Sequence, residues 1–134
     1  MLARYLAPRT NAVYTLLRIV VGLLFAFHGL QKLFGVLTDH QTAFGSQVWF
    51  GGVIELATGV AIAVGAYTTW AAFIASGTMA VAYIQFHWKF EGGARLLPAV
   101  NQGELALVYS ILFLYIACRG PGSWSVDRVR GYRT

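Results

Sequence analysis

The chain has 134 residues, 57% of them hydrophobic and only 11% charged, with a net charge of +5 and a mean hydropathy of +0.61. Soluble domains carry about 45–50% apolar and about 25% charged residues, so the composition excludes an ordinary soluble globule, a disordered tail and a nucleic-acid-binding domain. What remains is a small membrane protein of one domain, with room for four spans of about 20 apolar residues each.

Four stretches read as spanning helices. The first covers about residues 12–34, with Arg18 and Lys32 near its ends. The second covers 48–66 and is interrupted only by Glu55. The third covers 69–88 and carries no charge apart from that of His87 when protonated; the fourth, 103–118, opens with Glu104. All four are rich in Leu, Ala, Val, Phe and Gly and lack the strict alternation of a barrel strand. The expected architecture is therefore all-α: a polytopic membrane four-helix bundle with a basic tail over 119–134. The first stretch lacks a small-residue cleavage site after its apolar run, which separates it from a signal peptide.

Basic residues set the expected topology. Arg4, Arg9, Arg18, Arg119, Arg128, Arg130 and Arg133 stand at the end that carries both termini, against Lys32, Lys89 and Arg95 at the other. Seven against three predicts cytoplasmic N and C termini. Trp49, Phe50, Trp88 and Phe90 are then expected in the outer aromatic belt, with Tyr14, Tyr67, Trp70 and Trp124 in the inner one. Small residues four apart (Gly22 and Ala26; Ala57, Ala61 and Gly65; Ala72, Ser76 and Ala80) predict the faces on which the helices approach closely.

The informative residues are those that hydrocarbon rejects. His28 and Lys32 share one face of the first helix, Glu55 lies inside the second, His87 ends the third and Glu104 opens the fourth. Each helix thus brings an ionisable group to a similar depth on the outer side. An intramembrane charge costs at least about 2.5–3.5 kcal/mol near a helix centre and so turns inward toward a partner. Glu55 and Glu104 are expected to meet Lys32, His28 or His87 in a polar pocket. The same pattern also serves a purely structural ion-pair network that sets helix register. No metal is assigned, because the Glu-x-x-His pairs of di-metal bundles are absent and Lys32 repels a cation. Arg18 is expected to reach lipid phosphate, or else to anchor the tail near Asp127. The single cysteine, Cys118, excludes an intrachain disulfide and reads as a small apolar residue near a helix end.

Three blocks resemble the DoxX family: Arg18-Ile-Val-Val-Gly22 with Phe27-His28-Gly29-Leu30-Gln31-Lys32-Leu33-Phe34-Gly35; Gly52-Val-Ile-Glu55-Leu-Ala-Thr-Gly59; and Asn101-Gln-Gly-Glu104-Leu-Ala-Leu with Gly120-Pro121-Gly122-Ser-Trp-Ser125-Val-Asp127. The resemblance runs from about Thr15 to Asp127. It implies a four-helix protein of the bacterial inner membrane, of a kind usually labelled an oxidoreductase and linked to quinone and to thiol stress. It also places His28, Lys32, Glu55, Glu104 and Asp127 at family positions, with His87 at a histidine of the third helix. The expected function is a redox component acting with the quinone pool or a redox partner, with His28, Lys32, Glu55 and Glu104 as catalytic and His28, Lys32, Glu55, His87 and Glu104 as ligand-binding groups. The cofactor is left open: the resemblance points to a quinone, and the chain shows no flavin or nucleotide motif. The alternative is a non-catalytic subunit of a larger complex. Membrane lipids, further copies of the chain or other membrane proteins are the expected partners.

Overall fold

The structure is a computed structural model that describes residues 1–39 and 42–131. Arg133, counted above for topology, lies outside the described residues. Every regular element among those described is helical. Helix α1 (Leu2–Leu6) leads through a tight turn of helix, Ala7–Arg9, into α2 (Thr10–Phe34). The chain continues through α3 (Gln47–Val64) and α4 (Thr68–Ala82), the latter extended by a π-helical segment, Tyr83–Trp88. After a short 3₁₀ turn at Gly93–Leu96 come α5 (Pro98–Asn101), α6 (Glu104–Arg119) and α7 (Val126–Val129). The expected stretches thus recur within two residues at each end.

Local chemistry sets several of these boundaries. Gly35 closes α2 in the left-handed region at φ 65°, where glycine carries no steric penalty. Ser46 opens α3, its hydroxyl accepting from Trp49 N–H at 3.1 Å. Gly120 and Pro121 stop α6, as a carbonyl-capping glycine and a residue that cannot continue a helix do. Two helical stretches, 2–34 and 47–64, are long and apolar enough to cross a membrane. Helix α4 with its π extension runs without a break for 21 residues (68–88).

Helix α2 packs most extensively on α3, α4 on α6, and α3 joins the two pairs through α4. The α2–α3 contact is made by small residues. A Cβ on Gly22 would lie 2.7 Å from the carbonyl oxygen of Gly59, and one on Gly29 would lie 2.7 Å from that of Gly52. The expected row on α3 is corrected: Gly52, Gly59 and Ala63 face α2, whereas Ala57 is exposed. On α4, Ala72 and Ser76 are buried as expected, and the Ser76 hydroxyl donates to the Ser110 carbonyl of α6 at 2.8 Å. Between the pairs lies a core of Phe25, Ile62, Phe113 and Ile116. Exposed Val13, Leu16, Leu23, Val60, Phe73, Val108 and Ile111 lie on the outside, and extended apolar exteriors of this kind mark membrane or protein contacts.

Candidate functional site

Four elements converge near one end of the helices. On α2, His28 and Lys32 stand one turn apart and face the same way. Helix α3 supplies Glu55, the π segment supplies His87, and α6 supplies Tyr109. Together with Phe25, Met79, Gln102, Leu105 and Ala106 they line an open cavity of about 200 Å³.

Lys32 Nζ donates to Glu55 Oε1 at 2.5 Å. Glu55 is 3% exposed and Lys32 about one-third exposed, so the ammonium stands at the cavity mouth and the carboxylate at its floor. The second carboxylate oxygen, Oε2, is buried and has no hydrogen-bond partner among the described residues. Buried polar atoms are nearly always satisfied, and a carboxylate can accept at several lone-pair sites. Oε2 is therefore an acceptor left without a donor among the described residues.

The histidines are held differently. The His28 ring meets the Tyr109 ring edge-on, with centroids 6.3 Å apart, and Tyr109 in turn stacks on Phe113 at 5.3 Å. His87 is carried by the π segment, which closes through Lys89 N–H to the Ile84 carbonyl at 2.8 Å. Such segments recur at functional sites because one extra residue per turn re-aims the side chains. His87 Nδ1 lies 3.4 Å from the Asn101 carbonyl oxygen. Asn101 organises this corner: its side chain donates to the Arg95 carbonyl at 3.0 Å and accepts from Gly103 N–H at 2.8 Å.

The structure thus brings together His28, Lys32, Glu55 and His87, and corrects the expectation for Glu104. Glu104 is exposed and does not line the cavity. The α6 residues that face inward are Ala106, Tyr109, Ser110 and Phe113, and the 3.6-residue period puts Glu104 on the outward face with Val108 and Ile111. There its carboxylate complements the positive N-terminal end of α6. Tyr109, Met79, Gln102 and Asn101 are site residues that sequence reasoning did not select. Tyr109 had one available signal, since a phenol within a span needs a polar environment. Among the described residues no three His, Cys, Asp or Glu side chains come together as metal ligands.

A second, wider cavity of about 600 Å³ opens between α3 and α4. Its walls are mostly apolar, and it shares Lys32, Glu55, Met79 and His87 with the first. At the opposite end of the molecule, Arg18 is fully buried and does not reach outward toward lipid. Its Nη1 donates to the Ile62 carbonyl and, at 2.9 Å, to that of Ala63; its Nη2 donates to the Trp124 carbonyl at 2.8 Å. Arg18 anchors the C-terminal segment as the second expectation held, but through backbone carbonyls at the α3 terminus, where cations are favoured. Asp127 instead accepts from the N–H groups of Tyr67 and Thr68, at 2.7 and 2.8 Å, and from the Thr68 hydroxyl.

A sequence model of the DoxX family matches residues 13–88. That range contains the α2 and α3 blocks with His28, Lys32, Glu55 and His87, and ends before the third block. An uncharacterized protein of Haemophilus influenzae is 39% identical over 115 residues, which cover 83% of this chain and 85% of the relative. No solved structure matches the chain.

Proposed function

The chain belongs to the DoxX family, and from that premise we propose that it is a multi-pass inner-membrane redox component that binds quinone in the cavity floored by Glu55. One observation carries this reading: His28, Lys32 and Glu55 line one cavity, with one Glu55 oxygen paired to Lys32 and the other buried without a partner among the described residues. A quinone or quinol head needs a hydrogen-bond donor for each carbonyl and an acceptor for each hydroxyl. Lys32 and His28 supply donors and Glu55 the acceptor. Interconverting the two forms moves two electrons and two protons. Glu55 exchanges protons with the ring oxygens, while a partner protein or small reductant supplies the electrons.

The same reading sets the four long helices across the membrane as a bundle with both termini in the cytoplasm. The basic residues of α1, α2 and the tail support it, against Lys32, Lys89 and Arg95 at the other end. The cavity then opens toward the extracytoplasmic side. Helix α6, about 24 Å long at 1.5 Å per residue, spans with the help of the residues that precede it.

The test is quinone binding in lipid nanodiscs. Glu55→Gln and His28→Ala are expected to weaken binding of a short-tailed benzoquinone by about tenfold or more. Wild-type affinity in both variants sinks the reading. A second reading, a non-catalytic subunit of a larger membrane complex, is favoured by the apolar groove of Leu107, Val108, Ile111, Leu112 and Tyr115 on the outer face of α6. Native mass spectrometry of gently extracted protein separates the two: a small bound species on one or a few chains supports the first, and unrelated chains in a heavier particle support the second.

A further inference from the structure

The cavity at Glu55 and the groove between α3 and α4 adjoin one another. Lys32, Glu55, Met79 and His87 line both. Their chemistry differs. The inner part carries His28, Gln102 and Tyr109, and the outer part is walled by Ile54, Val81, Ala82 and Phe86.

Size points the same way. Small-molecule sites enclose about 300–1,000 Å³, so the inner cavity of about 200 Å³ is too small by itself and holds a head group only. The groove adds about 600 Å³. Two of its lining residues are glycines whose backbones leave it open: a Cβ on Gly51 or on Gly77 would meet no atom within 4 Å. Phe50, Val81 and Phe86 on its rim are 47–57% exposed, which in a spanning protein means exposed to acyl chains.

We propose that the α3–α4 groove seats the hydrocarbon tail of the ligand whose polar ring occupies the Glu55 cavity, and that this ligand enters sideways from the bilayer between α3 and α4. The inference rests on the quinone reading above and adds to it the ligand's class, a long-tailed amphiphile, and its route. Lateral entry keeps the tail in hydrocarbon throughout, so only the ring is transferred from the interface to the polar cavity. Each CH₂ that stays buried spares the cost of exposing it to water.

The test uses the full chain in nanodiscs with two probes: a benzoquinone bearing a four-isoprene tail with a diazirine on the third unit, and the same ring without a tail. In the wild type, photolysis is expected to label Ile54, Val81 or Phe86. The variants Gly51→Leu and Gly77→Leu add bulk to the groove at positions where a Cβ meets no atom within 4 Å. They are expected to weaken the tailed probe by about tenfold or more while leaving the tail-less ring unchanged. Labelling on the α6 face at Val108 and Ile111, or equal wild-type affinity for the two probes, overturns the groove assignment and leaves the quinone site standing. If neither probe binds the wild type, the quinone reading falls and the groove assignment with it.

Discussion

Lys32 Nζ and Glu55 Oε1, 2.5 Å apart, tie α2 to α3 beside the point where the two backbones approach at Gly29 and Gly52. The pair is asymmetric, with the carboxylate buried and the ammonium at the rim. Removing the cation leaves an uncompensated buried charge, whereas removing both charges does not. Lys32→Met is therefore expected to destabilise the protein by about 3 kcal/mol, the lower end of the range for broken buried pairs, because Lys32 is partly exposed. Adding Glu55→Gln to it is expected to recover most of that loss. Thermal unfolding of the two single variants and the double variant in detergent checks the coupling. Additive losses would show that the ion pair does not join the helices.

The glycines of α3 and α4 are predicted to respond in opposite ways. A Cβ on Gly59 would stand 2.7 Å from the Gly22 carbonyl oxygen and 2.8 Å from Ala26 Cα, both backbone atoms that cannot swing aside. Gly59→Ala is expected to push α2 and α3 apart at a cost of about 1–3 kcal/mol, as overpacking does. Gly77 has open space where its Cβ would be, so Gly77→Ala is expected to be neutral or to stabilise by up to about 1 kcal/mol through helix propensity. Unfolding midpoints measured side by side decide the matter, and equal effects would contradict the packing described.

Asp127 gives the fold a pH dependence. Burial pushes its carboxyl up, but hydrogen bonds from Thr68 N–H, Tyr67 N–H and the Thr68 hydroxyl, with Arg130 nearby, outweigh it and hold the group below its ordinary value. A depressed folded-state value means that the unfolded chain takes up the proton more readily. The contribution to stability is therefore complete above the ordinary carboxyl range near about pH 4 and is lost as pH falls through the folded value. Acid unfolding of the wild type should show this loss below about pH 4. Asp127→Asn should be less stable at pH 7 and show a flatter acid limb; an unchanged acid limb would assign the dependence to other groups.

The helical stretches and the pairing of Glu55 were legible in the chain for a simple reason. Hydrocarbon tolerates few structures and fewer unpaired charges, so a lone glutamate in an apolar run announces its own burial. The same logic failed for Glu104, which sits at a helix end where an outward carboxylate is favourable. It also failed for Arg18 as a lipid-facing residue, because the acceptors of its two Nη groups are backbone carbonyls of Ile62, Ala63 and Trp124, and backbone acceptors have no sequence signature.

By itself the sequence determined the helices, their order, their apolar exterior and the presence of ionisable groups near one end. Those follow from composition and from turn residues such as Gly35, Gly65 and Gly120, which act locally. Tertiary structure alone decided which faces meet. Helices that are apolar on every side carry no stripe to mark the inward face, so the choice of Gly52, Gly59 and Ala63 over Ala57 on α3 rests on how closely two backbones can approach. That choice turns Glu55 toward Lys32 and leaves its second oxygen buried without a partner among the described residues.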